Sequence, residues 1–131
     1  MQPIDRFAGG ATARPLLEAL QNQYIVRGDY ALAAELAKVA TVTQYSAGAR
    51  IIEQGHADND VFLILLGEVS IVINGQEIAR RHAGQHVGEM ALLDPAAQRS
   101  ATVIVRNTVV LAKISEPDFN VIASKPFTPR R

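Results

Sequence analysis

The feature that most constrains this chain is a series of short β-branched segments, separated by glycines, that fills the middle of the sequence. Seven such segments follow one another at close spacing and predict strands: Val42–Tyr45, Arg50–Gln54, Val61–Leu66, Glu68–Ile73, Gln76–Arg81, Ser100–Val105 and Thr108–Ile114. Many short strands with frequent turns indicate a sandwich, a barrel or a jelly roll. The fold class predicted from the pattern is therefore mainly β.

One turn between these strands is marked clearly enough to predict its geometry. Asn74 and Gly75 separate the alternating residues Val69, Ile71 and Ile73 from the next predicted strand. A two-residue type I′ turn requires positive φ at both of its central positions, which Asn followed by Gly adopts readily. The sequence therefore predicts a β-hairpin here.

Helical patterns flank the β region on both sides. A first helix is predicted to begin near Thr12 or Ala13, and Asp29 is predicted to be the N-cap of a second helix in an Ala-rich segment. Their predicted buried faces are formed by Leu16, Leu17, Leu20 and Tyr24 in the first helix and by Leu32, Leu36, Val39 and Ala40 in the second. The three- and four-residue spacings place each set on one side of its helix.

A short helix is predicted after the last strand, where Ser115 precedes the acidic first turn Glu116-Pro117-Asp118. Its predicted buried face comprises Phe119, Ile122 and Ala123. The chain is thus divided into an N-terminal helical segment (residues 1–41), a β region (residues 42–114) and a C-terminal helix and tail (residues 115–131). At 131 residues it is long enough for one hydrophobic core.

Composition excludes several classes of protein. Thirteen Lys and Arg balance thirteen Asp and Glu, so the overall charge argues against nucleic acid or an anionic membrane as a partner. The chain has no Cys, which excludes disulfides, thiolate zinc sites and thiol nucleophiles. No apolar stretch approaches the length of a secretion signal or a membrane span. We expect a cytoplasmic protein.

The segment VGEMALLDPAAQRSATV, residues 87–103, carries the chemistry. Gly88 allows a sharp turn, and the residues after it favour one helical turn whose open N–H groups attract an anion. Arg99, beyond the loop, supplies a full positive charge for a phosphate. Glu89 is suited to accept a hydrogen bond from a sugar hydroxyl, and Ser100 adds a hydroxyl for the phosphate beside the small Ala101. The pattern predicts a site for a sugar phosphate.

This segment resembles the phosphate-binding cassette of the cyclic-nucleotide-binding domains of the catabolite activator protein and protein kinase A regulatory subunit superfamily. The upstream stretch AGARIIEQGHADNDVFLILLGEVSIVI is similar to the opening strands of that family. The resemblance implies an antiparallel, jelly-roll-like β-roll in which Glu89 binds the ribose 2′-hydroxyl and Arg99 binds the exocyclic phosphate oxygens. It also implies that Gly88, Ser100 and Ala101 complete the cradle.

Within the cassette, Met90 and Ala91 are also predicted to belong to the ligand site. Met90 is expected either to pack in the core or to form a wall beside the base. The segments QHVGEMALLD and RSATV are also similar to the sensor halves of bacterial antiphage effectors of the Pycsar type, which join this domain to a TIR domain. That resemblance implies a cyclic pyrimidine nucleotide such as cUMP as ligand, with cAMP next. It further implies signal transfer to an effector module, self-association of the full-length protein and no catalysis in this domain.

Two alternatives remain open from the residues. The first is a cupin-like metal-binding enzyme using His82, His86 and Glu89, although cupin motifs place their first two His two residues apart, whereas these are four apart. The second is a degenerate β-roll that serves only for oligomerisation. The preferred interpretation needs no metal and no cofactor besides the nucleotide ligand.

Overall fold

The structure is a computed structural model that describes residues 1–57, 59–88 and 99–123. The elements, in chain order, are a 3-10 turn (Pro3–Phe7), helices α1 (Arg14–Gln21) and α2 (Tyr30–Val39), strands β1 (Thr41–Tyr45), β2 (Arg50–Ile52), β3 (Val61–Leu66), β4 (Glu68–Ile73), β5 (Gln76–His82), β6 (His86–Val87), β7 (Thr102–Val105) and β8 (Val109–Ile114), and helix α3 (Glu116–Ala123). The predicted class, an antiparallel β-roll with flanking helices, is confirmed.

The strands form two four-stranded antiparallel sheets. The first sheet has the order β1-β8-β3-β6 and the second has the order β2-β7-β4-β5. Consecutive strands lie in different sheets at several points, so the chain crosses repeatedly between the two layers. These crossings bring the segment before β3 close to the segment before β7, which is the region of the predicted cassette.

The two central strands of the first sheet, β8 and β3, are buried on both of their faces. On β3, Val61, Leu63 and Leu65 pack against the helices, while Phe62 and Ile64 pack into the space between the sheets. Strand β8 alternates in the same way. Because successive side chains of a strand point to opposite faces, a strand covered on both sides reads as a continuous apolar run. This explains why β3 has the sequence VFLILL.

The helices cover the outer face of the first sheet. Leu20 of α1 and Leu36 of α2 are buried in a core shared with β3 and β8. The predicted N-cap is confirmed, since the Asp29 side chain accepts a hydrogen bond of 3.2 Å from the Leu32 N–H. The helices are therefore attached to the sheet by apolar contacts, and α2 begins where its capping residue predicts.

The prediction that Tyr24 belongs to the buried face of the first helix is wrong. Helix α1 ends at Gln21, and Tyr24 is 59% exposed. The chain tightens after the helix, because the Gln23 N–H bonds to the Leu20 carbonyl three residues back rather than four. This change of pitch turns Gln23 inward, and Gln23 is only 1% exposed.

The turn prediction is confirmed, since Asn74 and Gly75 both have positive φ, 49° and 81°. The predicted C-terminal helix is also present, and the Ser115 hydroxyl accepts a hydrogen bond from the Asp118 N–H. Strand β6 was not predicted, because two residues are too few to produce an alternating pattern.

Within the described part of the chain, no helix has the length and hydropathy that crossing a bilayer requires.

Candidate ligand-binding site

Arg99 lies three residues before β7 and is held there by its main chain. Its N–H donates to the His56 carbonyl at 2.7 Å, and its carbonyl accepts from the Gly55 N–H at 2.8 Å. Only 7% of Arg99 is exposed. A buried arginine is uncommon unless polar groups surround its guanidinium. The backbone pairing therefore places a strongly basic group inside the fold.

Two hydrogen bonds orient the Arg99 guanidinium. Nη1 donates to the Gly88 carbonyl at 3.0 Å, and Nη2 donates to the Asp60 carbonyl at 2.7 Å. These acceptors lie 11 and 39 residues away along the chain. Carbonyl oxygens are good acceptors for guanidinium N–H groups, so these two bonds fix the direction of the planar group. Of the predicted site residues, the structure thus brings Arg99 and Gly88 together.

Gly88 occupies a position that no other residue could take without distortion. Its φ is +96°, and a Cβ atom built on it would lie 2.6 Å from the Asp60 carbonyl oxygen and 3.0 Å from Arg99 Nη1. Two features therefore require glycine at this position: a backbone conformation that disfavours side chains and the close approach of another segment of main chain. The sequence analysis predicted the sharp turn but not this contact.

Asp60 joins the site to β8. Its carbonyl accepts from Arg99, while its carboxylate lies 3.3 Å from the Lys113 ammonium group. Both side chains are partly exposed, so the ion pair is screened and adds little to stability by itself. From the sequence, Asp60 is only one residue of the stretch that is similar to the opening strands of the family. A carboxylate directly before a strongly apolar strand was the available signal, but it did not indicate that the carbonyl would be used.

The remaining predicted residues differ in their placement. Ser100 is exposed and Ala101 is half-buried. Next to them, the Thr102 hydroxyl accepts a hydrogen bond of 3.0 Å from the Gln54 N–H, which fixes the start of β7. Glu89, Met90 and Ala91 lie outside the described residues.

The structure also bears on the metal-site alternative. Among the residues that are described, no three His, Asp or Glu side chains are grouped so that they could hold a metal ion. His82 lies in β5 with its Nδ1 atom 2.9 Å from the Ala83 carbonyl. Glu89, the third residue of the cupin-like set, lies outside the described residues.

A sequence comparison identifies the family to which this fold belongs. The sequence model of the cyclic nucleotide-binding domain matches residues 42–125 of this chain. The chain belongs to the cyclic nucleotide-binding domain family. This confirms the resemblance inferred from the cassette and makes the domain a cyclic nucleotide sensor fold.

Among curated proteins, the chain is similar to two Pycsar effector proteins. It is 43% identical to BcPycTIR of Burkholderia cepacia over 93% of this chain and 40% of that protein. It is 39% identical to PaPycTIR of Pseudomonas aeruginosa over 92% of this chain and 39% of that protein. The chain therefore spans about two fifths of the length of these relatives.

Solved structures agree on the fold. The regulatory domain of protein kinase A from Toxoplasma gondii, crystallised with cAMP, superposes with a TM-score of 0.74 at 22% identity, covering 83% of this chain and 44% of that one. A cAMP-bound mutant regulatory subunit of a cAMP-independent protein kinase A from Trypanosoma brucei gives 0.75 at 27% identity, covering 81% and 41%.

Proposed function

We propose that this domain binds one 3′,5′-cyclic nucleotide monophosphate in a cradle built on Gly88 and Arg99. The observation that carries the proposal is the buried guanidinium of Arg99, which is held by carbonyls from two separate segments. A guanidinium fixed before the ligand arrives loses little side-chain entropy on binding, so more of the interaction energy appears as affinity. Its fork of donors suits the exocyclic oxygens of a phosphate.

The other end of the ligand is assigned to Glu89, which we propose binds the ribose 2′-hydroxyl. Ser100 and Ala101 complete the phosphate cradle, and Met90 and Ala91 contribute to the wall of the site. Ser100 is exposed next to the buried Arg99, a position from which its hydroxyl is available to a ligand. A carboxylate for the sugar and a guanidinium for the phosphate recognise two ends of one molecule.

The relatives support a proposal for the ligand class. Because the chain is similar to Pycsar effectors over most of its length, we propose a cyclic pyrimidine nucleotide, cUMP first, with cAMP as the next candidate. The domain performs no chemistry on its ligand. In a longer cytoplasmic protein it would pass the signal to an attached TIR effector module, promote self-association and take part in antiphage defence.

The signal requires that the ligand bind one arrangement of the domain more tightly than another. We take the β region, residues 42–114, as the binding unit and the flanking segments, residues 1–41 and 115–131, as the parts that respond. Deuterium exchange with and without ligand measures this response. Identical protection of both flanking segments in the two states would contradict it.

A thermal-shift panel tests the proposal. Purified protein is mixed with cUMP, cCMP, cAMP or cGMP and, as controls, with the linear monophosphates. A ligand at 100 times its Kd adds about 2.7 kcal/mol to the free energy of unfolding, so a true ligand raises the Tm clearly. A response to no cyclic nucleotide, or an equal response to the linear forms, would contradict the proposal.

Arg99→Ala completes the test. We expect it to weaken binding by about 2–5 kcal/mol, because the buried phosphate loses its charged partner. Calorimetry measures the affinity, and circular dichroism checks that the variant is folded. The matched control is Arg106→Ala, which removes an arginine at the other end of β7 and should leave the affinity unchanged. Equal affinities for the two variants would remove Arg99 from the site.

A further inference from the structure

Gln23 is a buried amide at the point where the N-terminal helices meet the first sheet. It is 1% exposed, and its Nε2 donates to the Ile64 carbonyl at 2.8 Å. Its Oε1 is buried and has no hydrogen-bond partner among the residues that the structure describes. An unsatisfied buried acceptor costs free energy. A methionine would fill similar space without that cost, so the amide calls for an explanation beyond packing.

The acceptor of this bond, the Ile64 carbonyl of β3, also holds the turn that leads to the cassette. The Ile64 carbonyl also accepts from the Gly84 N–H at 3.0 Å, and the Ile64 N–H donates to the Gln85 carbonyl at 2.9 Å. Gly84 and Gln85 lie between β5 and β6. The side chain of Gln23 therefore binds at the same main-chain atom that holds this turn.

Tyr24 makes a second connection to the same turn. Its N–H donates to the Gly84 carbonyl at 2.8 Å. Its ring lies against Gly84, since a Cβ atom built there would be 3.2 Å from the ring, and it meets the His82 ring edge-on at 6.3 Å. We call these contacts of Gln23 and Tyr24 with Ile64 and Gly84 the Gln23 junction.

The Gln23 junction lies one short strand away from the ligand cradle. Strand β6 comprises His86 and Val87, pairs with β3 alone among the described strands and ends next to Gly88. Gly88 in turn accepts a hydrogen bond from Arg99. Gln23 and Tyr24 follow closely after the end of α1, so a displacement of α1 from the sheet pulls on the junction at one end of β6, while Gly88 lies at the other end.

We propose that Gln23 is a positioning residue that couples the N-terminal helices to the cradle through β6. Of two successive residues after α1, Tyr24 donates to the turn itself and Gln23 donates to the β3 carbonyl that holds the turn. The turn continues from Gly84 to Gly88 within four residues. Movement of the helices therefore alters the position of Gly88, and occupation of the cradle alters the hold on the helices. The ligand part of this inference depends on the proposed function, whereas the mechanical part does not.

Amide exchange in the ligand-free protein tests the mechanical part. Gln23→Met keeps the volume and removes the amide. We expect exchange at the Tyr24 and Gly84 amides to rise about fivefold, which is the effect of losing one typical hydrogen bond. Exchange at His86, Val87 and Gly88 should rise with them, about twofold to fivefold.

Gln44→Met is the matched control. Gln44 also ties an N-terminal segment to the first sheet, since its Oε1 accepts from the Ile4 N–H at 2.9 Å. It lies on β1, at the opposite edge of that sheet from β6. We expect Gln44→Met to increase exchange at Ile4 and to leave His86, Val87 and Gly88 unchanged.

Three results would overturn the proposal. The first is unchanged exchange at His86–Gly88 in Gln23→Met. The second is an equal rise at all amides together with a lower midpoint of urea unfolding, which indicates global destabilisation. The third is the same effect in Gln44→Met. If Gln23→Met does not fold, Tyr24→Ala replaces it, since Tyr24 is largely exposed; unchanged exchange at Gly84 and His86–Gly88 in that variant would also overturn the proposal.

The ligand arm uses the cyclic nucleotide that the thermal-shift panel selects. In the wild type, saturating ligand should change exchange in residues 14–24, and in Gln23→Met this change should fall at least about twofold while binding persists. An undiminished change would overturn the coupling. If no cyclic nucleotide binds the wild type, the proposed function fails, and the ligand-free exchange still decides the role of Gln23.

Discussion

The two ends of strand β7 each carry an arginine, and the two arginines are used in opposite ways. Arg99, before the strand, is 7% exposed and donates to the carbonyls of Gly88 and Asp60. The Arg106 side chain, after the strand, is 36% exposed. It donates to the carboxylates of Glu68 at 2.9 Å and Glu77 at 3.2 Å.

The difference shows how surroundings assign a function to a side chain. Carboxylates neutralise Arg106, and their exposed ion pairs contribute modestly to stability. Main-chain carbonyls orient Arg99 at a protected position where an anion interacts more strongly than in water. The Arg99 end of β7 thus holds a buried, oriented guanidinium, which we propose binds the ligand, whereas the Arg106 end forms a surface network across the second sheet.

The largest expected effect comes from two glycines in tight positions, Gly88 beside Arg99 and Gly67 beside Thr108 and Val109. Gly88 and Gly67 both have φ of +96°, and a Cβ on Gly67 would lie 2.4 Å from the Thr108 carbonyl oxygen. We expect Gly88→Ala and Gly67→Ala each to lower the free energy of unfolding by about 2–5 kcal/mol, through backbone strain and steric overlap. Urea unfolding measures both. Gly48→Ala, which has positive φ but open space around it, should cost only about 1–2 kcal/mol.

Binding separates the two glycines. Calorimetry on the folded fraction should show ligand affinity reduced at least about tenfold in Gly88→Ala, because the new methyl group displaces the Arg99 guanidinium. In Gly67→Ala the affinity should match that of the wild type. Loss of affinity in both variants would show that the two ends of β7 are not independent.

A smaller effect is expected from exchanging each arginine for lysine. Arg99→Lys keeps the charge but cannot bridge two carbonyls with a planar fork, so we expect affinity to fall by about 1–2 kcal/mol. Arg106→Lys should leave affinity within about twofold, because the exposed network tolerates a point charge. Titration calorimetry of both variants decides the comparison. Full affinity in Arg99→Lys would mean that charge alone, and not orientation, matters at this position.

The smallest effect concerns acid sensitivity at the Arg106 end. The hydrogen bond from the Ser70 hydroxyl lowers the pKa of the Glu77 carboxyl, and Arg80 and Arg106 act in the same direction against a desolvation effect that raises it. With the folded pKa below the unfolded one, the stabilisation is present above the unfolded pKa and is lost as pH falls through the folded pKa.

Glu77→Gln removes this titration. Its urea midpoint should vary less steeply between neutral and acidic pH than that of the wild type, and the two curves should converge at the acidic end. Ligand affinity at neutral pH should not change, because Glu77 belongs to the Arg106 end. Parallel curves would show that Glu77 does not contribute to the acid sensitivity.

Local patterns predicted most of the fold. The bounds of β3 and β4 were predicted at Val61–Leu66 and Glu68–Ile73, as the structure has them, because alternation and β-branching are properties of neighbouring residues. Asn74-Gly75 specified its own turn. Predictions failed where the chain departs from a regular period, as at Tyr24, or where an element is too short to have a period, as in β6.

The family of the site could also be recognised from sequence, because the cassette keeps its glycine, acid and arginine at a characteristic spacing. The main-chain partners of Arg99 could not be predicted from the sequence. A carbonyl oxygen is present at every residue, so nothing in the amino-acid sequence distinguishes the carbonyl of Asp60 from those of neighbouring residues. The roles of Asp60 and Gln23 became visible only through their contacts.

The sequence by itself determined the order of helices and strands, the hairpin turn and the cassette pattern by which the family is recognised, since each depends on residues close together in the chain. The tertiary structure decided which arginine is buried, which carbonyls orient it and how the N-terminal helices meet the turn before β6. Those features join segments up to 41 residues apart. Such distances are set by the packing of the two sheets, and packing depends on the whole chain at once.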